Sequence, residues 1–137
     1  MTFRIVAAGV LMAAGLVAAA PATAQDATAS FTAAQAQRGL AEYKRSCLDC
    51  HGANLDDGEF GGPPLRGLSF ESKYFGVTAD ALFGFMQAAM PPDRPGRLSA
   101  QTYADLTAYV LSKNGVQPGQ TELPSDLEAL AGLTISK

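Results

Sequence analysis

The chain has 137 residues, with 10 basic and 13 acidic side chains and a formal net charge of −3. This length fits one small domain, and the acidic balance argues against nucleic acid or an anionic membrane surface as the main partner. The chain has only two cysteines, Cys47 and Cys50, and a disulfide between them would close a very small loop and add little stability.

The first 24 residues have the pattern of an export signal. Arg4 provides a positive start, residues 5–20 form an unbroken apolar run, and Ala22-Thr23-Ala24 fits the small-residue cleavage site. The alternative is an uncleaved membrane anchor, but the run is shorter than the roughly 20 residues that span a bilayer. We therefore expect cleavage after about Ala24, a periplasmic location, and no membrane association of the mature chain. Residues 25–33 are expected to form a flexible lead-in.

A first helix is predicted after this lead-in. Thr32 and Gln35 have the spacing of a capping box, and the helix is expected to run to about Ser46. Tyr43 lies on one face of this helix, and Gly39 beside it would let another helix approach closely. The helix opens a domain that we expect to cover residues 34–115.

Residues 47–51 read Cys-Leu-Asp-Cys-His, which is the C-x-x-C-H pattern of covalent haem attachment. Two thiols at this spacing reach the two vinyl groups on one side of a porphyrin, and the adjacent His51 is then placed beneath the iron. A zinc site or a redox dithiol is the alternative. Structural zinc needs four ligands, whereas this chain has two Cys and one His, and a dithiol would follow a strand. The motif predicts one haem c bound through Cys47 and Cys50, with His51 as an iron ligand.

The segment from Gly52 to Gly67 is dense in Gly, Pro, Asn and Asp, and it predicts a shaped loop without helix or strand. A loop of this length in a small domain usually wraps something. Thr78 is expected to cap a short helix to about Ala89, and Ser99 a longer one to Lys113.

The tail, residues 116–137, carries spaced apolar residues and is expected to pack back on the domain as an extension. No repeats and no alternation typical of strands appear along the chain. The predicted fold is all-α, with three to five helices and long loops that wrap one haem.

The chain has no second His, so the candidates for the second axial ligand are Met86 and Met90. Met86 lies within a helical apolar pattern, where core packing explains it. Met90 precedes Pro91-Pro92, which favours an extended conformation at a helix end and leaves the sulfur free to face the iron. We expect Met90 to join His51 as iron ligand. Met86, or an iron without a sixth protein ligand, is the alternative.

Together these features resemble a class I cytochrome c of bacterial type over about residues 39–115. The matching positions are the attachment motif, the ligand loop around Met90, the G-P-x-L-x-G loop that begins at Gly62-Pro63, and the helix-crossing residues Gly39, Tyr43, Leu106 and Tyr109. The resemblance implies a class I cytochrome c fold. It also implies that the Pro63 carbonyl accepts a hydrogen bond from His51, which makes Pro63 a cofactor-binding residue.

The resemblance has one departure, at Pro64, where mitochondrial members commonly have asparagine. The surroundings of the haem propionates therefore differ, and Arg66 and Tyr74 are candidates to contact them. Six apolar residues are expected to pack around the haem: Leu55, Leu65, Leu68, Phe75, Leu82 and Phe85.

Iron with His and Met as axial ligands leaves no site for a substrate, so the expected function is transfer of single electrons rather than catalysis. The tail also resembles those of small cytochromes that serve quinoprotein alcohol dehydrogenases. This likeness implies redox partner proteins: a dehydrogenase as donor and an oxidase or another cytochrome as acceptor. The alternatives are a haem enzyme or gas sensor with an open or displaceable sixth ligand, and a fixed cytochrome subunit of a larger oxidoreductase complex.

Overall fold

The computed structural model describes residues 27–137, so the expected export signal lies outside the described part. Within it, the all-α prediction is confirmed: helices dominate, and the only sheet of the described residues has two strands of two residues each. The described residues form six helices, one more than the upper bound of three to five, because α2 and α6 are single turns that the sequence pattern did not reveal. The elements are β1 (Ala27–Thr28), α1 (Ala33–Ser46), α2 (Leu48–His51), α3 (Leu68–Tyr74), α4 (Ala79–Ala89), α5 (Ala100–Lys113), α6 (Leu127–Leu130) and β2 (Leu133–Thr134).

The crossing of α1 and α5 is the main helix contact of the fold. Gly39 lies at the crossing, where a methyl group on its Cα would lie 1.9 Å from the carbonyl oxygen of Asp105. The rings of Tyr43 and Tyr109 pack there with centroids 5.1 Å apart. The close approach expected from Gly39 is therefore present.

Two helix starts follow their capping signals. The Thr32 hydroxyl accepts a hydrogen bond from the Gln35 amide at 3.1 Å, and the Ser99 hydroxyl accepts one from the Thr102 amide at 3.1 Å. Thr78 precedes α4 as expected, but its hydroxyl contacts the Asp80 carboxylate and makes no side-chain cap. Hydroxyl caps satisfy amides that a helix leaves without partners at its first turn.

The lead-in expected to be flexible is built into the fold from Ala27 onward. Ala27–Thr28 pair in parallel with Leu133–Thr134, and the Ala29 amide donates to the Thr134 carbonyl at 2.8 Å. Phe31 is fully buried. The prediction of a flexible segment fails here because the strand partner lies at the other end of the chain, where local composition gives no sign of it.

The C-terminal extension lies on the domain along its whole length. Val116, Leu123, Leu130 and Ile135 are all buried in the core. Among the helices of residues 27–137, none is long and apolar enough to cross a membrane.

Candidate functional site

A cavity lies among the helices, with residues from α1 to α5 in its wall. Most of the wall is apolar, with contributions from Leu65, Leu82, Phe85, Leu98, Leu106 and Val110.

The C-x-x-C-H motif begins at Cys47, the residue between α1 and α2, and its other four residues form the single turn of α2. The Cys47 amide continues the hydrogen bonding of α1 by donating to the Tyr43 carbonyl at 2.9 Å, and the His51 amide donates to the Cys47 carbonyl at 2.9 Å. Cys47, Cys50 and His51 all line the cavity, and the two cysteines are not joined in a disulfide. One helical turn therefore brings both thiols and the imidazole to the same space.

The imidazole of His51 is buried and held by the loop that follows it. Its Nδ1 lies 2.8 Å from the Pro63 carbonyl oxygen. Because a carbonyl can only accept, Nδ1 carries the proton and Nε2 keeps the lone pair that a metal requires. The contact implied by the cytochrome resemblance is thus present, and the ring presents a ligand nitrogen.

The loop of residues 52–67 wraps the motif turn. The Gly62 amide donates to the Cys50 carbonyl at 2.7 Å, which fixes the loop directly before Pro63. A methyl group on Gly58 would lie 2.0 Å from the Cys50 carbonyl oxygen, so the backbones approach too closely for a side chain there. As predicted, these residues contain neither helix nor strand.

Both candidate methionines line the cavity. Met86 belongs to α4, whereas Met90 caps that helix in an extended conformation, with φ −122° and ψ 145°. The buried Tyr103 hydroxyl donates to the Met90 carbonyl at 2.6 Å and so ties this position to α5. The sequence pattern assigned no role to Tyr103.

The candidate packing residues divide into two groups. Leu65, Leu82 and Phe85 line the cavity as expected, whereas Leu55, Leu68 and Phe75 are not part of its wall. Leu55 is buried elsewhere in the core and Leu68 is 86% exposed on α3. The Lys137 ammonium lies over the Phe75 ring, 5.4 Å from its centroid. Leu68 and Phe75 belong to α3 and its C-terminal cap, and the sequence pattern did not predict this helix.

The two candidates for polar contacts with a cofactor also differ. Tyr74 lines the cavity, whereas the exposed Arg66 reaches the Asn54 carbonyl at 3.5 Å and is not part of the wall. Asn114, which caps the C-terminal end of α5, donates from Nδ2 to the Leu65 carbonyl at 2.9 Å and accepts from the Gly67 amide at 3.2 Å. It fixes the loop that forms this side of the cavity.

A polar network lies beside Cys47, where Ser46 contributes to the cavity wall. The Ser46 hydroxyl donates to the Glu42 carboxylate at 2.6 Å and accepts from the Arg97 guanidinium at 2.8 Å. Burial opposes ionisation of Glu42, but hydrogen bonds from Ser46 and Arg45 outweigh it and hold the pKa of this carboxyl below its ordinary value of 4.5. Arg97 thereby links the loop after Met90 to the end of α1.

The residues present fit a covalently attached haem. Burial raises the pKa of the Cys47 thiol to about 12, so this sulfur is a neutral, apolar part of the wall at neutral pH. Cys50 lies beside it, and His51 supplies a nitrogen with a free lone pair. Two thiols, one imidazole, a methionine thioether and an apolar wall are the donor set and surroundings that a c-type haem requires.

Comparison with known proteins gives a family match. The model of the family described as cytochrome c oxidase, cbb3-type, subunit III matches residues 34–110. This range runs from the first turn of α1 into α5 and contains every residue of the cavity wall. No curated protein and no solved structure matches the chain.

Proposed function

The chain belongs to the cytochrome c family described as subunit III of cbb3-type cytochrome c oxidase, and we propose that it carries single electrons by means of one covalent haem. The observation that carries this proposal is the convergence of Cys47, Cys50 and His51 on one apolar cavity. Met86 and Met90 line the same cavity.

Each of these residues has a role in the proposal. Cys47 and Cys50 hold the cofactor through thioethers, His51 binds the iron through Nε2, and Pro63 keeps the imidazole in the required tautomer. A bound haem c supplies one-electron exchange between ferric and ferrous iron. The apolar wall excludes water and disfavours the additional charge of the ferric state, which raises the reduction potential.

Met90 is proposed as the second iron ligand. Its backbone is extended at the end of α4, and the Tyr103 hydroxyl donates a hydrogen bond to its carbonyl. The position of Met90 is therefore set by α5 as well as by α4. Met86 lies one turn earlier, and its position on an apolar face of α4 accounts for it as a packing residue. With His51 and Met90 both holding the iron, a substrate would have no site to bind, which favours an electron carrier over an enzyme or gas sensor.

The compartment and partners are part of the proposal. The amino-terminal sequence pattern supports export to the periplasm, and the likeness of the tail to those of cytochromes serving alcohol dehydrogenases supports a dehydrogenase as donor. The family description favours a second candidate, a fixed cytochrome subunit of an oxidase complex. A free shuttle would be recovered in the soluble fraction of the cells that produce it, separate from any oxidase. A fixed subunit would co-purify with its oxidase.

Substitution of the two methionines tests the ligand assignment. In the oxidised protein, Met90→Ala is expected to abolish the weak far-red band of an iron–methionine bond while the haem stays attached. Met86→Ala is the matched control, because the same side chain is lost from the same cavity, and it should retain the band. Reversal of these results contradicts the assignment. Rapid CO binding by the reduced wild-type protein would contradict the proposed carrier function as a whole.

A further inference from the structure

The C-terminal extension, residues 116–137, holds the start of α4. Residues 76–78 lead into this helix, and β2 pairs with them through an antiparallel bridge between Thr78 and Thr134. The Gly76 amide donates to the Ile135 carbonyl at 2.9 Å, and the Ile135 amide donates to the Val77 carbonyl at 2.9 Å. Because Ile135 is fully buried, this contact is shielded from water.

The extension also covers the middle of α4. The single turn α6 packs against α4, and Leu130 at its end is fully buried. A methyl group on Gly84 would lie 3.3 Å from a Cδ of Leu127, so the leucine side chain lies directly over the helix backbone. These contacts lie on a different face from Leu82 and Met86, which line the cavity.

The other end of the extension is anchored on α1. The Gln35 amide group, fully buried, donates to the Leu123 carbonyl at 2.9 Å and accepts from the Leu123 amide at 2.7 Å. The Arg38 guanidinium contacts both Asp105 and Glu122 at 2.9 Å. The extension is therefore tied to α1 before it reaches α4, and it joins two helices whose residues line the cavity.

We propose that residues 116–137 position the ligand helix: the part of the extension from α6 to β2 packs on α4 and keeps the methionine at its end bound to the iron. This inference rests on the proposed function, because it concerns the iron–methionine bond. In it, Leu130 and Ile135 are positioning residues that act through α4 and do not touch the cofactor. Loss of their contacts lets α4 move away from the cavity and opens the sixth coordination position.

Two buried leucines of the extension provide a matched test. Leu130 lies in α6, which packs on α4, whereas Leu123 lies where α1 holds the extension. Both side chains are buried, so a change to Ala leaves a cavity of similar size at either position. The readout is the rate of CO binding by the reduced holoprotein, which requires the methionine to leave the iron. Each protein is measured at the same interval below its own unfolding midpoint, so that global destabilisation cancels.

The expected result is a rate for Leu130→Ala about tenfold above wild type, because local opening becomes more populated. Leu123→Ala should stay within about twofold of wild type by the same argument. The far-red band of the oxidised protein should weaken in Leu130→Ala alone. Leu127 is half-exposed, so Leu127→Ala is a milder variant that should fold, and its rate should rise about threefold.

Equal rates in Leu130→Ala and Leu123→Ala, or no increase in Leu127→Ala, overturn the inference while leaving the proposed function intact. Fast CO binding by the wild-type protein overturns both. The two failures are therefore distinguishable in one set of measurements.

Discussion

At the scale of single residues, the polar network beside Cys47 depends on one buried carboxylate. Glu42 is 7% exposed and accepts hydrogen bonds from the Ser46 hydroxyl and the Arg45 guanidinium. Arg97 joins the same network by donating to the Ser46 hydroxyl. A buried carboxylate is tolerated because it is fully hydrogen-bonded and lies beside positive charge. Its ionised form therefore contributes to the stability of the fold.

The pH dependence of stability follows from this depressed pKa. The Glu42 carboxyl has a lower pKa in the folded state than in the unfolded state. The stability that it contributes is therefore fully present above its unfolded-state pKa and is lost as the pH falls through its folded-state pKa. Glu42→Gln should therefore lower the free energy of unfolding at neutral pH, and the difference from wild type should shrink below about pH 4. Urea unfolding at several pH values measures this.

The exposed Glu59 provides the control, since Glu59→Gln should change the free energy of unfolding little at any of these pH values. A deficit in Glu42→Gln that stays constant from neutral to acidic pH would show that packing, and not charge, explains the role of Glu42.

At the residue scale, the sequence indicates contacts between neighbours along the chain, and it does not reveal contacts between residues that are far apart in sequence. Cys47, Cys50 and His51 share one turn, so their common direction follows from local helix geometry. The contacts of Tyr103 with Met90 and of Asn114 with Leu65 join residues 13 and 49 positions apart. A hydroxyl or amide in a helical pattern does not reveal which distant carbonyl it will meet.

At the scale of elements, the crossing of α1 and α5 sets the shape of the cavity, because both helices supply wall residues. Gly39→Ala places a methyl group 1.9 Å from a backbone oxygen, which no rotamer change can relieve. We expect a loss of at least about 2–3 kcal/mol in the free energy of unfolding, as for overpacked cores, measured by chemical denaturation.

Gly84→Ala is the matched control, since it makes the same change inside α4, where the nearest atom is 3.3 Å away on the flexible Leu127 side chain. Helix propensity favours Ala over Gly by about 1 kcal/mol, so this variant should be close to neutral or stabilised. Equal losses in the two variants would contradict the account of the crossing.

The elements with capping signals and long amphipathic patterns, α1 and α5, were predicted within one residue of their ends. The short helices α2, α3 and α6 were not, because four to seven residues hold too little periodicity to be distinguished from loop. The pairing of β1 with β2 joins the two ends of the described chain, and no local pattern encodes it.

At the scale of the whole molecule, a small domain encloses a cavity lined by the thiols, imidazole and thioethers of one cofactor site. The core of such a domain is marginal by itself, so a large apolar cofactor held by covalent bonds would complete it. The extension also stabilises the fold, because it contacts both α1 and α4. In this account the cofactor, the ligand helix and the tail form one cooperative unit.

A spectroelectrochemical titration of the purified holoprotein tests the central claim most directly. We predict one reversible transition with the slope of a single electron, low-spin haem in both states, and the far-red iron–methionine band in the oxidised state. High-spin haem in either state, or a slope that requires more than one redox centre, would contradict a carrier with one haem bound by His51 and methionine.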